Sequence, residues 1–259
     1  MIRGLYTSGW SMLANEKQMD IISNNLANVS TNAYKQDTVV LESFPSVLTK
    51  RINDTRSALN PSGNVGDMQL GSDVGEVYTY FNQGGIIKTG NNLDFAIKDS
   101  KSAFFTVQVT DGNGQKAEYY TRDGAFIINN NGQLSTVDGN LVMGKSGPIV
   151  LQNANFSVES DGTIVQNGQA VDKLLITEFT DTRQLRKFGS NLISALDGAG
   201  PRQFTGTVQQ GYLEQSNVNV VKEMVSMISV MRAYEANQKV LQAQDGTLEK
   251  AVNEIGAVR

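Results

Sequence analysis

The 259 residues contain no histidine and no cysteine. Without histidine the chain lacks the side chain that most often serves as a near-neutral general base and metal ligand. Without cysteine there is no disulfide, no thiolate nucleophile and no thiolate metal site. A cysteine-free chain suits either side of a membrane, so the redox compartment stays open. No apolar run approaches the ~20 residues of a membrane-spanning helix. The opening Met1-Ile2-Arg3-Gly4-Leu5-Tyr6 lacks the apolar core of a secretory signal. No direct membrane span and no export by the general pathway are therefore expected. No stretch is rich in Lys and Arg, and the net charge is −4, so neither a nucleic-acid nor an anionic-membrane surface is indicated.

What is present is ordinary globular material, 39% hydrophobic and 19% charged, long enough to bury a real core in one large domain or two modest ones. Its organisation falls into zones. At the amino end Leu5, Met12, Met19 and Leu26 recur every seventh position, and Met1, Ser8, Asn15 and Ile22 fill the intervening spacing. This is an imperfect heptad seam, with two of the filling positions polar. At the carboxyl end Val220, Met224, Met227, Met231, Tyr234, Leu241, Leu248, Val252 and Ile255 fit one 4-3 seam, interrupted by Gln238 and Asp245. Val221, Val225 and Ile228 lie beside that stripe and widen it, and a wide apolar stripe on an exposed helix predicts a further partner. The methionines suit packing against non-identical neighbours.

The middle of the chain differs in kind. Phe105, Val107 and Val109 alternate with Thr106, Gln108 and Thr110, as in a half-buried strand. Asp111-Gly112, Asn113-Gly114, Asp123-Gly124, Asn131-Gly132, Asp138-Gly139, Asp161-Gly162 and Asn167-Gly168 read as hairpin turns of type I′. Strand-like runs lie between them at 118–121, 125–128, 141–143, 164–166 and 174–179, which argues an antiparallel β domain. None of the Asp-Gly sites has the closing Glu of a calcium loop. The expected fold is α+β: terminal helices that pair as a coiled coil, with an all-β antiparallel domain inserted. In this division 1–34 and 215–259 make a discontinuous helical assembly domain, 35–80 is an extended connecting segment, and 81–214 is the β domain.

A specific resemblance enters at Ser23-Asn24-Asn25-Leu26-Ala27-Asn28-Val29-Ser30-Thr31-Asn32-Ala33-Tyr34-Lys35. This stretch resembles the amino-terminal signature of the flagellar rod and hook proteins. The mid-chain stretch from Thr89 to Ile97, then Phe104-Phe105 and Tyr120-Thr121-Arg122-Asp123-Gly124, is similar to the same family's core block. So is the closing stretch from Leu213-Glu214-Gln215-Ser216-Asn217 to Arg232-Ala233-Tyr234-Glu235-Ala236-Asn237. Three blocks in order span nearly the whole chain. Two departures are visible. Ala33 stands where the family usually has Gly, and Asp99-Ser100-Lys101-Ser102-Ala103 stands where it tends to have a Gly-rich turn. If Gly is needed for a positive φ, Ala33 implies strain or a different turn.

The resemblance implies a structural subunit of the bacterial flagellar basal-body rod, not an enzyme, that polymerises through its terminal helices. It implies no cofactor and no metal. Its partners would be copies of itself, other axial proteins of rod and hook, and the flagellar export apparatus, with an extracytoplasmic place in the basal body reached without a cleavable signal. The assembly motif would be Asn24, Asn25, Leu26, Ala27, Asn28, Thr31, Tyr34 and Lys35. The helix interface would be Leu5, Met12, Met19, Ile22, Val220, Met224, Met227, Met231, Tyr234, Leu241 and Leu248, and the carboxyl-terminal motif Ser216, Asn217, Arg232, Ala233, Tyr234 and Glu235. Length and the 35–80 segment look more like the distal rod protein, while Phe44-Pro45 resembles Gram-positive rod variants. A proximal rod or hook-type protein and a transient rod scaffold or cap stay open. A wall-cleaving enzyme is the remote alternative and would need two carboxylates across a cleft. Isolated helices gain most of their stability from packing, so the ends are expected to order on assembly.

Overall fold

Two long helices close the chain at its ends, α1 (Ile2–Ala27) and α2 (Val220–Lys250), and short strands fill the sequence between them. The computed structural model describes residues 2–50, 64–69, 71–110, 115–153, 155–189 and 191–255. Asp111-Gly112, Asn113-Gly114 and Met1 lie outside them, as does the side chain of Ile255. The chain divides into two units, one of Met1–Leu26, Asp37–Thr79 and Val220–Arg259, the other of Ala27–Gln36 and Tyr80–Asn219. The class is α+β, and the strand ladders are antiparallel.

In the first unit the helices run antiparallel. Asn25 Nδ2 donates to Glu223 Oε2 (3.3 Å), joining the end of α1 to the first turn of α2. At the other end Gly4 lies so close to Gln244 that a Cβ on residue 4 would fall 2.3 Å from Nε2. Residues 4 and 25 are 21 positions apart, as are 223 and 244, so the two contacts are separated by equal lengths of helix, about 32 Å at the usual helical rise.

The inward surface of α2 differs from the seam read in the sequence. Val220, Met227, Tyr234, Leu241 and Leu248 are half-buried. The row that joins them lies three residues on, not four: Glu223 and Val230 are buried, and Asn237 and Gln244 half-buried. Met224 and Met231 face outward, 48% and 47% exposed. Either row can flank the seventh-position residues, and the hydrogen bond to Asn25 selects the polar one. In α1, Leu5, Met12, Met19 and Leu26 are half-buried, while Ser8, Ala14, Ile22 and Asn25 are buried.

The segment expected as an extended connection, 35–80, holds four strands: β1 (Asp37–Ser43), β2 (Val47–Lys50), β3 (Asn64–Met68) and β4 (Ser72–Thr79). β1 pairs with β4 from Asp37↔Thr79 to Ser43↔Ser72, with an irregularity between Val40 and Leu41, and β2 pairs with β3. Trp10 of α1 meets Phe44 edge-on, with ring centroids 4.9 Å apart.

The second unit is centred on a nine-stranded sheet. Its middle strand, β5 (Ala103–Thr110), forms a hairpin with β6 (Lys116–Thr121) and pairs along its other edge with 141–142 and 176–178. The alternation in β5 predicts one wet face, but residues 103–107 are buried on both. Phe105 and Val107 point into a cluster with Phe95, Ile97, Phe126, Leu134 and Ile164. Phe104 points the other way, among Phe81, Phe179, Leu185 and Ile193. The sheet is covered on both sides there, and the buried Thr106 hydroxyl is hydrogen-bonded to Thr177 (3.1 Å).

Only one of the predicted type I′ turns takes that form among the described residues. Asn167 and Gly168 have φ of +54° and +78° and join the strands Thr163–Gln166 and Gln169–Lys173. At Asn131-Gly132, Asp138-Gly139 and Asp161-Gly162 only the glycine has positive φ. Asp123-Gly124 is no hairpin turn: Gly124 is required because a Cβ there would lie 1.8 Å from the Phe95 carbonyl oxygen, and Phe95 N–H donates to Gly124 O (3.0 Å). Gly124→Ala must push the two backbones apart, and urea titration should show a loss of about 2–3 kcal/mol.

Candidate functional site

The carboxylate of Glu214 lies at the centre of the second unit, 2% exposed, at the end of the strand Tyr212–Glu214. Lys35 Nζ donates to its Oε1 (2.6 Å) and Arg122 Nε to its Oε2 (2.7 Å), and both cations are themselves buried. Oε1 also accepts from Gly84 N–H (2.9 Å). One carboxylate thus meets two cations, and backbone carbonyls complete their coordination. Lys35 donates to Asn82 O (3.0 Å), and Arg122 donates to Ser100 O (2.6 Å), Ile97 O (3.3 Å) and Ala103 O. These carbonyl dipoles replace the water that a buried guanidinium or ammonium would otherwise lose.

The backbone around the cluster is tied into the same place. Ala33 N–H donates to Glu214 O (2.8 Å), and Asn217 N–H to Tyr34 O (3.3 Å). Asn217 Oδ1 accepts from Gln36 N–H (2.7 Å), while its Nδ2 donates to Tyr80 O (2.8 Å) and Asn82 O (3.1 Å). Tyr34 is buried beneath Lys187, whose ammonium sits 4.0 Å from the ring centroid and donates to Lys35 O. Segments 33–36, 80–84 and 213–217, with Arg122, therefore form one fastening. A second, smaller one lies in the first unit. Asn25 Oδ1 accepts from Asp37 N–H (3.0 Å) and its Nδ2 donates to Asp37 O (2.7 Å), so the side chain mimics a strand neighbour at the start of β1.

The residues singled out in the sequence are thus distributed. Tyr34, Lys35 and Asn217 meet in the cluster, and Ser216 beside them accepts from Val218 N–H (3.2 Å). Asn28 Oδ1 accepts from Thr31 Oγ1 (3.2 Å) just beyond α1, whose last residue, Ala27, is exposed. Leu26 is half-buried and Asn24 exposed. Arg232, Ala233 and Glu235 are exposed on α2 beside the half-buried Tyr234. Sequence reasoning did not single out Arg122, Glu214 or Glu223. The available signal was a lone charge inside an otherwise apolar or amide-rich block, as in Leu213-Glu214-Gln215. Among the described residues no group of three or more His, Cys, Asp or Glu side chains could hold a metal.

Burial would raise the Glu214 carboxyl, but the charges of Arg122 and Lys35 outweigh it and hold the group below its ordinary 4.5. Burial lowers Lys35 below its ordinary range, and Glu214 only partly opposes this. Asp123 is pushed up by burial, against hydrogen bonds from Ala125 and Asn191. Both turn departures noted in the sequence carry positive φ, Ala33 at +55° and Asp99 at +67°.

The buried charges fasten segments distant in the chain, and a long helix stands near each end. Residues 5–35 match the family model described as flagella basal body rod protein, 101–166 the D1 domain of the flagellar hook protein FlgE/F/G, and 209–254 the carboxyl-terminal part of the flagellar basal body rod FlgEFG proteins. The chain is 32% identical to the flagellar hook-basal body complex protein FlhO of Bacillus subtilis, with all of both chains covered. It is 37% identical to the flagellar basal-body rod protein FlgG of Buchnera aphidicola from Acyrthosiphon pisum, over 96% of this chain and 98% of that one. It is 30% identical to the rod protein FlgF of Rhizobium meliloti, over the full length of both. The chain belongs to the flagellar basal-body rod and hook protein family.

Two tests address the site. Because folding lowers the Glu214 carboxyl below 4.5, the unfolded chain takes up that proton first as pH falls. Its stabilisation is complete above that value and is lost as pH drops through the folded one. Asp123 shifts the other way, so its effect has the opposite sign. Glu214→Gln leaves two buried cations unneutralised and should cost about 3–5 kcal/mol at pH 7. Urea titrations from pH 7 to 3 should show a flatter acid loss in that variant than in the unmodified chain. Ala33→Gly should relieve a left-handed alanine and raise stability by about 0.5–1 kcal/mol, net of the entropy that glycine adds to the unfolded chain. Calorimetry checks it; a lowered melting temperature would contradict the strain.

Proposed function

We propose that this chain is a structural subunit of the flagellar basal-body rod, assembling with copies of itself and other axial proteins of rod and hook through its terminal helices. The observation that carries the reading is the outward face of α2. Val221, Val225 and Ile228 are 71%, 63% and 52% exposed, and Met224 and Met231 join them at helical spacing. A helix that keeps a second apolar row exposed, opposite the one it buries, is incomplete by itself. Tyr6, Gly9, Trp10, Leu13 and Leu241 line a separate apolar hollow of about 320 Å³ in the same unit. Two different apolar surfaces on one subunit are what an open helical polymer needs, since each contact joins unlike patches.

In this reading the helices of neighbouring subunits complete a coiled-coil layer, with the exposed methionines adapting to non-identical neighbours. The Asn25–Glu223 fastening holds the register, as a polar residue in a helical seam can. The subunit acts outside the cytoplasm and reaches its place through the flagellar export apparatus.

The test is a Val225→Asp, Ile228→Asp double variant expressed in a strain deleted for the chromosomal copy. Both positions are exposed, so circular dichroism and melting of the purified protein should stay within about 0.5 kcal/mol of the original. Basal bodies isolated from that strain should lack the subunit, and motility should be lost. Normal rods containing the double variant, seen by cryo-EM, would remove this face from assembly.

A further inference from the structure

The bonds of Glu214 reach unusually far along the chain: Lys35 is 179 positions away, Gly84 is 130 and Arg122 is 92. The β5–β6 hairpin beside the cluster is local, pairing Thr110 with Lys116 and Phe105 with Thr121. Short-range pairings form first because closing a long loop costs more chain entropy before any contact rewards it. Charge adds a stronger constraint. Before Glu214 arrives, docking Lys35 and Arg122 would bury two like charges with no counter-ion, which water opposes. Two amides of segment 33–36 also bond to the late segment, Ala33 N–H to Glu214 O and Gln36 N–H to Asn217 Oδ1.

We propose that the Lys35–Arg122–Glu214 cluster is a completion latch: segment 33–36 of the amino-terminal motif is fixed in the second unit only when 213–217 docks. A chain emerging amino end first, as every chain does during synthesis, exposes the motif while the carboxylate that neutralises it is still missing. The motif stays open until the last fifth of the chain is present. On the rod reading above, which this consequence rests on, an incomplete subunit cannot present a finished second unit to a growing polymer.

The experiment is pulse-labelled hydrogen exchange during refolding of the full-length unmodified protein, read by mass spectrometry of peptides. Amides of Ala33, Gln36 and Gly84 should gain protection roughly tenfold or more slowly than those of the hairpin. Protection in the same phase as the hairpin, or earlier, overturns the latch. A second arm compares native exchange in Glu214→Gln. Those three amides should lose about tenfold or more in protection relative to the hairpin amides, and an equal loss everywhere also overturns it. Should that variant fail to fold, the refolding arm on the unmodified chain decides alone. Neither arm requires rod assembly, so a negative result leaves the rod reading standing.

Discussion

Glu214 neutralises Lys35 and Arg122 where no water can reach them. Such an arrangement adds little stability over a well-packed apolar substitute, because burying three charges costs about as much as their attraction returns. Its value is directional. Each cation is satisfied only if the Glu214 carboxylate, the Asn82 carbonyl and the 97–103 carbonyls stand in the positions observed. The three family blocks are the three segments that supply Lys35, Arg122 and Glu214, so the pattern that identifies the family also closes the second unit.

The first unit divides polar and apolar work in an unusual way. Self-contained helical pairs turn their apolar rows toward each other. Here the buried positions mix Ala14, Ile22 and Val230 with Ser8, Asn25 and Glu223, and the exposed face of α2 carries Val221, Val225 and Ile228. Polar seams are poor at generating stability and good at specifying alignment. A helix pair built this way is aligned within the chain and left to gain its apolar burial from elsewhere. That is a sensible division for a subunit whose environment differs between the free and the assembled state.

Much of this was legible in the residues. The helical zones and the strand-like runs are where periodicity and turn signals put them, because both depend on local spacing. The carboxyl-terminal seam is split in the structure between half-buried and exposed residues. Val220, Met227 and Tyr234 are fixed by a seven-residue repeat, but hydropathy alone favours Met224 over Glu223, and only the long-range bond to Asn25 reverses that. The alternation in β5 failed for a related reason: Thr106 looks like a wet-face residue, and its hydroxyl partner, Thr177, lies 71 positions away. Asp-Gly signals locate turns well, yet Gly124 is present for close backbone approach, which no local pattern encodes. Lys35, Arg122 and Glu214 were visible as residues of the matching blocks, but their meeting is a property of topology, not of sequence neighbourhood.

The two departures from the family pattern now share an explanation. Ala33 and Asp99 both occupy the left-handed region, which costs an alanine about 1–2 kcal/mol and which aspartate enters more readily because its short polar side chain can hydrogen-bond locally. Each is clamped by the cluster. Ala33 donates its N–H to the Glu214 carbonyl, and the turn after Asp99 is held by Arg122 through the Ser100 carbonyl. Strained backbone persists where its surroundings over-determine it, and these two turns are held by bonds to Glu214 and Arg122. A left-handed alanine at position 33 therefore persists because the ion cluster, and not the turn residue, sets the path of the chain.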